Sequence, residues 1–376
     1  YFKLIKHFNK EVFLRLVDKN EMYIEYSNFI KRRWMLINQE TSQNQLLLNN
    51  QMEKKDLRIV FMGTPEFAVG TLSKLVEGGY NVVAVVTQPD KPVGRHQDTL
   101  QPSLVKQYAM SKKIPVLQPV RMKDPEFVEA LRAYDADLQV VVAFRMLPEV
   151  VWSMPRFGTF NVHAALLPQY RGAAPINWAV INGEVQTGVT TFFLDHDIDT
   201  GRIIMQDTFD IHDDYNVENV YDGLMELGAN LALKTIDKML EGDGHVESMA
   251  QSDMVASSSD LHSAPKIFKD TCNISWNQPV KKVYDFIRGL SPVPGAWTAV
   301  LDDKGKEYVL KIYKAAKTEI PSDGGVGLFT VDQGRLLVNA SDYKLQLEVI
   351  QLSGKKRMEA RDFLNGKDVS GWKVKL

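Results

Sequence analysis

Residues 160–175 read Phe-Asn-Val-His-Ala-Ala-Leu-Leu-Pro-Gln-Tyr-Arg-Gly-Ala-Ala-Pro. The apolar beginning predicts the end of a β-strand, and the part containing Pro and Gly predicts a loop. In an extended strand Asn161 and His163 point to the same face, because side chains alternate with a period of two. Residues 194–201, Leu-Asp-His-Asp-Ile-Asp-Thr-Gly, predict an acidic turn. An amide, an imidazole and a carboxylate that meet at strand ends suit acyl-transfer chemistry.

The bulk composition predicts a globular chain without disulfides or a metal. The chain has 376 residues, 44% of them hydrophobic, which is enough for two domains with sizeable cores. Its single cysteine, Cys272, excludes an intrachain disulfide framework and a multi-cysteine metal site, and we interpret it as a packed apolar residue. We expect a reducing compartment, the cytoplasm. No apolar stretch approaches the roughly 20 residues of a membrane span.

Charge is distributed unevenly along the chain. The net charge of the whole chain is −2, but residues 52–264 carry −11 and residues 265–376 carry +6. A basic C-terminal part indicates that a bound nucleic acid is gripped mainly from that side. Ordinary solvated lysines are the alternative interpretation.

Four segments follow from the sequence patterns. Residues 1–51 match neither domain in composition, and we interpret them as an N-terminal extension that is not part of the native fold; a helical arm is the alternative. Residues 52–251 alternate strand and helix patterns, which predicts a doubly wound, mostly parallel Rossmann-like sheet of the α/β class. Residues 252–264 are rich in Ser and Asp and predict a linker. Residues 265–376 contain short β-like segments and predict a small OB-like β-barrel.

Several motifs have less specific interpretations. The turn at residues 63–65 lacks the three glycines of a dinucleotide-binding loop, so we reject a nicotinamide cofactor. His163 alone is more often a structural residue, and Asp199 could be a helix cap. His196 and Asp197 are alternative candidates for the same roles, because residue type alone does not distinguish them from His163 and Asp199. No helical pair of histidines or histidine cluster suggests a metal.

From about Leu57 to its end, the chain resembles the folate-dependent formyltransferase family. The resemblance rests on Asn161-x-His163, on Leu-Leu-Pro at residues 166–168 and on Asp199-x-Gly201. It also rests on Gln-Pro-Asp-Lys-Pro-Val-Gly-Arg at 88–95. Two further motifs indicate the tRNA-acting branch of the family, which are Gly-Thr-Pro-Glu-Phe at 63–67 and Ser-Pro-Val-Pro-Gly-Ala-Trp at 291–297.

This resemblance implies a reaction and a set of residues. The formyl group of 10-formyltetrahydrofolate would move to the amino group of methionyl-initiator tRNA for translation initiation, with no metal and with a monomeric enzyme. The implied catalytic residues are Asn161, His163 and Asp199. The implied folate-binding residues are Ala165, Leu166, Leu167 and Pro168. The loop with Lys91 and Arg95 resembles the insertion that contacts tRNA, and the basic C-terminal part adds Lys281, Lys282, Arg288, Lys355, Lys356 and Arg357 as candidates.

Two departures and two alternatives accompany the resemblance. Ala165 stands where the family usually has Ser, and Arg145 stands near the presumed cleft where glycine is common. The same catalytic residues would also serve a formyltransferase that acts on a sugar-nucleotide amine or on glycinamide ribonucleotide. An RNA-binding protein on an inactive formyltransferase scaffold is the non-enzymatic alternative, although such a scaffold should lose the three catalytic residues.

Overall fold

The computed structural model describes residues 29–33, 35–36, 52–93, 99–255 and 261–376. The chain divides into two compact units, Tyr1–Met52 and Glu53–Leu376. In the first unit, residues 29–33 and 35–36 are helical with exposed side chains, and most of the expected extension lies outside the described residues. No helix in the described part of the chain is both long and apolar enough to cross a membrane.

The second unit begins with an alternation of strands and helices. The strands are β1 (Arg58–Gly63), β2 (Asn81–Val86), β3 (Lys91–Val93), β4 (Thr99–Gln101), β5 (Val116–Leu117), β6 (Leu138–Val142), β7 (Thr159–His163), β8 (Arg171–Gly172), β9 (Gln186–Phe193), β10 (Ile203–Asp210) and β11 (Ser263–Ala264). The helices are α1 (Glu66–Glu77), α2 (Leu104–Ser111), α3 (Pro125–Arg132), α4 (Glu149–Trp152), α5 (Pro175–Ile181) and α6 (Val217–Glu241).

The main sheet has the order β10-β9-β7-β6-β1-β2-β5. Neighbours from β7 to β5 pair in parallel, whereas β9 and β10 are antiparallel. Strands β1 and β6 are apolar over nearly their whole length because helices cover both faces of a parallel sheet. The expected doubly wound, mostly parallel sheet is therefore confirmed, and it places the carboxyl ends of β1, β6 and β7 side by side.

The C-terminal part is a curled antiparallel sheet with two helices. It contains α7 (Val280–Gly289), β12 (Ala296–Leu301), β13 (Glu307–Pro321), β14 (Phe329–Asp332), β15 (Arg335–Asn339), β16 (Tyr343–Leu352), β17 (Met358–Glu359), α8 (Ala360–Gly366) and β18 (Lys373–Val374). The order is β14-β15-β16-β13-β12-β18, and β13 changes register at bulges that bend it. Bonds from Phe329 N to Trp372 O and from Val374 N to Gly327 O bring the ends of the sheet together. The expected barrel-like domain is confirmed.

Helices α5 and α7 join the part that contains the main sheet to the C-terminal part. Ile181 belongs to the hydrophobic core of the C-terminal part together with Val283 and Ile287. The Asn177 side chain donates a hydrogen bond to the carbonyl of Gly289 across this junction at 2.8 Å. The junction is thus packed and hydrogen-bonded rather than a loose hinge.

A cluster of ionic side chains reinforces the same junction. Asp285 is almost fully buried and accepts hydrogen bonds from Arg288 Nε at 2.8 Å and Lys281 Nζ at 2.6 Å. Arg288 also donates to the carbonyl of Tyr215 at 2.8 Å, and Asp213 pairs with Lys317. The Lys317 ammonium keeps the pKa of Asp213 below its usual value.

The segment at residues 252–264 contributes structure as well as connection. It begins within a 3₁₀ turn at Gln251–Met254. It ends in β11, which pairs in parallel with β8. Residues 256–260 lie outside the described residues. The Ala264 carbonyl accepts a hydrogen bond from Ala174 N at 3.1 Å, so the end of this segment supports the loop that leads into α5.

Replacing Arg288 by Met should destabilise the protein by about 3 kcal/mol, because it leaves the Asp285 carboxylate buried with one cation fewer. The matched control is Arg132→Met, which removes an exposed partner of Glu129 at the same i,i+3 spacing and should cost at most about 1 kcal/mol. Urea unfolding measures both free energies. Equal losses for the two variants would contradict a structural role for the buried pair.

Replacing Gly172 by Ala should also destabilise the protein, by about 1–3 kcal/mol. Gly172 has φ +129°, and an added Cβ would lie 2.4 Å from the carbonyl oxygen of Ala264. Gly305→Ala is the control, because Gly305 has φ +77° but nothing within 4 Å of the added atom. A thermal melt should show the larger decrease for Gly172→Ala; the reverse order would disprove the close β8–β11 contact.

Candidate active site

A cavity of about 650 Å³ opens at the carboxyl ends of β1, β6 and β7. This is the edge of an α/β sheet at which ligands usually bind. The first residues of α5, together with Val217 and Tyr221 of α6, close another side. Side chains from the segment after β6 and from the acidic turn complete the lining, which includes Phe144, Arg145, Met146, Leu147, Trp152, Leu194, Asp195, His196, Asp197 and Ile198.

Three predicted catalytic residues line this cavity together. Asn161 and His163 lie two positions apart on β7, and Asp199 reaches the cavity from the acidic turn. The Asn161 side-chain amide makes no hydrogen bond to any other described residue, so its N–H groups are available to a ligand. The alternation of side chains along the strand is what brings Asn161 and His163 to one face.

The His163 ring is held in one orientation by a backbone carbonyl. His163 is buried, and its Nε2 lies 2.9 Å from the carbonyl oxygen of Tyr170. A carbonyl oxygen can only accept a hydrogen bond, so Nε2 carries the proton. In the neutral ring the lone pair is therefore on Nδ1, which faces Asp199 at 3.8 Å from Oδ2.

The carbonyl of Tyr170 is positioned by bonds on both sides of this residue. Tyr170 has φ +60°, and its N–H donates to the carbonyl of His262 at 2.7 Å. Its hydroxyl donates to Glu184 at 2.5 Å, and Asn182 donates to that hydroxyl. Burial, with the Glu184 bond as the second cause, raises the pKa of Tyr170 well above its usual value. Tyr170 is therefore a neutral structural residue.

Asp199 sits in a tight turn and is held through its carboxylate. Its φ is +56°, and Oδ2 accepts a hydrogen bond from the backbone N–H of Gly172 at 2.9 Å. The side chain is 14% exposed, which is enough for contact with the cavity but excludes free solvation. The carboxylate thus lies between β8 and His163.

The predicted folate segment is mostly buried behind the cavity. Ala165 and Leu167 are fully buried. The Thr190 hydroxyl donates a hydrogen bond to the carbonyl of Ala165 at 2.7 Å and accepts one from the N–H of Leu167 at 3.0 Å. Gln206 donates to the carbonyl of Leu167 at 2.8 Å. From this stretch the cavity is lined by Ala164, one residue earlier. Folate binding by Ala165, Leu166, Leu167 and Pro168 stays a prediction.

Sequence reasoning placed Arg145 near the presumed cleft but did not assign the rest of the cavity wall that follows β6. Arg145 lines it and donates through Nη1 to the carbonyl of Val120 at 2.8 Å and through Nη2 to that of Pro119. Burial lowers the pKa of Arg145 from its usual value. The parallel pairing of β6 with β7 is the signal that could have located this wall, because adjacent parallel strands end at the same edge.

The alternative histidine, His196, is placed differently from His163. His196 is largely exposed at the cavity mouth, where its ring packs edge-on against Trp152 and lies 3.9 Å from a Glu149 oxygen. No group of three or more His, Cys, Asp or Glu side chains that could hold a metal occurs among the residues described.

The candidate tRNA contacts fall into three groups. Lys91 is exposed on the β3–β4 hairpin, and Arg95 lies outside the described residues. Lys281 is engaged by Asp285 and Asp213, and Lys282 lies 3.5 Å from the carbonyl of Asn182, which places both at the domain junction. Lys355 and Lys356 are exposed at the turn after β16, beside Arg357, whose guanidinium stacks 4.2 Å from the Tyr313 ring.

Known proteins match both parts of the chain. Residues 57–236 match the family described as formyl transferase, and residues 266–368 match the formyl transferase C-terminal domain. A methionyl-tRNA formyltransferase from Parabacteroides distasonis is 59% identical over 316 residues, which is 84% of this chain and 97% of that protein. One from Bacteroides thetaiotaomicron is 55% identical over 325 residues, or 86% of this chain and all of that protein.

Solved structures with low sequence identity share the fold. WlaRD, a sugar 3N-formyl transferase solved in the presence of dTDP and 5-N-formyl-THF, superposes with a TM-score of 0.54 at 18% identity, covering 80% of this chain and 99% of that one. HypX from Aquifex aeolicus, in complex with tetrahydrofolic acid, gives 0.53 at 19% identity over 82% of this chain; the match spans about half of HypX, 46%. The two family matches and the close relatives show that the chain belongs to the formyl transferase family, among the methionyl-tRNA formyltransferases.

Proposed function

We propose that this chain transfers the formyl group of 10-formyltetrahydrofolate to the amino group of methionyl-initiator tRNA. The observation that carries the proposal is the meeting of Asn161, His163 and Asp199 in one cavity of a chain 55–59% identical to methionyl-tRNA formyltransferases. The product, N-formylmethionyl-tRNA, serves translation initiation. We further propose that the chain acts as a monomer in the cytoplasm.

The cavity suits a folate in size and chemistry. Its volume of about 650 Å³ lies within the range of small-molecule sites, about 300–1,000 Å³. Phe144, Trp152 and Leu194 supply apolar walls for a flat heterocycle, and the backbone of the acidic turn supplies polar groups. We place the formyl donor here, with its formyl carbon next to Asn161.

Asn161 is suited to stabilise the charge that develops during transfer. When the amine attacks the formyl carbon, that carbon becomes tetrahedral and its oxygen becomes negative. An amide N–H that faces the cavity and has no other partner can donate to this oxygen without first breaking another hydrogen bond. The free side-chain amide of Asn161 meets this requirement.

His163 and Asp199 are suited to handle the proton. The attacking amine gains a positive charge and must lose a proton, and Nδ1 of His163 carries the lone pair that can take it. The Asp199 carboxylate, with Oδ2 3.8 Å from Nδ1, can orient the ring or accept a proton through water. The proton is then returned to the folate nitrogen that leaves the formyl carbon, directly or through water, so that charge and atoms balance.

The alternative acceptor, a sugar-nucleotide amine, has less support. Solved sugar formyltransferases share 16–21% identity with this chain, which shows the fold alone. The C-terminal domain that matches residues 266–368 and its net charge of +6 support a polyanionic acceptor instead.

Substituting each catalytic residue by Ala should lower the turnover number while the protein stays folded. We expect losses of about 10²–10⁴ for Asn161→Ala, His163→Ala and Asp199→Ala, because each removes an oxyanion donor or a proton-transfer group. Combined variants should lose much less than the product of the single effects, since the residues act together. Formation of N-formylmethionyl-tRNA from radiolabelled charged tRNA measures the rates.

The control for these variants is His245→Ala, an exposed histidine on the loop after α6, which should retain parental turnover. Circular dichroism and folate-binding assays verify that the inactive variants are folded. A His163→Ala variant that keeps more than about a tenth of the parental chemical rate would contradict the assignment. Transfer to a nucleotide-sugar amine but not to tRNA would favour the alternative acceptor.

Substituting Lys355 and Lys356 together by Ser should weaken tRNA binding and reduce its salt dependence. Each phosphate contact that is lost lowers the slope of log affinity against log salt by about 1. The matched control removes two exposed lysines of α6, Lys234 and Lys238, by the same change. Filter binding over a range of salt concentrations gives both slopes. Identical slopes for the two double variants would move the tRNA surface away from this turn.

A further inference from the structure

Gln251 is a buried glutamine that takes no part in the chemistry described above. Its side chain is 3% exposed, which excludes solvent as a hydrogen-bond partner. Its Nε2 donates to the carbonyls of Asp199 and Gly201, both at 2.8 Å. Its Oε1 accepts from Arg171 Nε at 3.0 Å and from Nη2 at 2.6 Å. Every hydrogen-bonding position of the amide is therefore used, and its orientation is fixed.

The bonds from Gln251 hold a backbone turn that is unfavourable by itself. Asp199 adopts φ +56°, a left-handed conformation that residues with a Cβ adopt rarely. The two carbonyls that Gln251 binds belong to Asp199 and to Gly201, two residues later, so they bracket the turn. This turn decides where the Asp199 carboxylate points.

The other end of Gln251 is joined to the second element that holds this carboxylate. Arg171 precedes Gly172 on β8, and the N–H of Gly172 donates to Asp199 Oδ2 at 2.9 Å. These hydrogen bonds thus form a closed ring through Arg171, Gln251, Asp199 and Gly172. A shift of the acidic turn relative to β8 would break this ring.

We propose that Gln251, bound to Arg171, is a positioning residue for formyl transfer that holds the Asp199 carboxylate beside His163. This inference rests on the proposed function. Gln251 does not reach the cavity lining, so it acts only through Asp199. Its loss should therefore affect the chemical step and leave the binding of both substrates nearly unchanged.

The test is Gln251→Leu in the full chain, assayed with 10-formyltetrahydrofolate and charged initiator tRNA. We expect kcat to fall about 10- to 100-fold, since small misplacements of a catalytic group cost this much. KM for each substrate should stay within about threefold of the parental value, because ground-state contacts are retained. The control is Gln186→Leu, an exposed glutamine of β9 bonded to Asp210, which should keep the parental kcat.

A double-mutant cycle separates positioning from general destabilisation. In an Asp199→Ala background, Gln251→Leu should change kcat by no more than about twofold, because the group it positions is gone. An undiminished loss in that background, or a parental kcat for the single variant, would overturn the proposal.

If Gln251→Leu does not fold, Arg171→Met tests the proposal instead, with the same measurements of kcat and KM. A parental protein without transfer activity refutes the proposed function, whereas an active parent with an insensitive Gln251 refutes this inference alone.

Discussion

The hydrogen bond from His163 Nε2 to the carbonyl of Tyr170 determines much of what the active site can do. It assigns the proton to one ring nitrogen and leaves the other, Nδ1, facing Asp199. A side-chain acceptor could rotate or change its protonation state, but a backbone carbonyl cannot. The ring nitrogen that is left with a lone pair is thereby specified by the path of the main chain through residues 170–172.

That path depends on contacts made far along the sequence. Tyr170 N binds the carbonyl of His262, and β8 pairs with β11. Both partners lie in the segment that leads from the catalytic part to the C-terminal part. The chain that connects the domains therefore also supports the base and the carboxylate. A lengthening of this segment near β11 would disturb the chemistry even though the segment contributes no reacting group.

The domain junction fixes the geometry between the cavity and the C-terminal part. The core of the C-terminal part includes Ile181 of α5, and the buried Asp285–Arg288 pair lies against the backbone of residues 212–215. The first turn of α5 lines the cavity. Because both domains pack on this helix, the C-terminal part is held at a constant distance from the cavity that Asn161 lines.

The sequence by itself determined the alternating α/β pattern, the barrel-like C-terminal part and the meeting of Asn161 with His163. These features depend on local periodicity, and strand alternation fixes which residues share a face. The sequence could not reveal the tautomer of His163, the burial of Ala165 and Leu167, or the engagement of Lys281 at the junction. The tautomer depends on Tyr170, whose N–H binds the carbonyl of His262. The burial depends on Thr190 and Gln206, and the engagement of Lys281 depends in part on Asp213. These contacts form only when elements distant in sequence pack together.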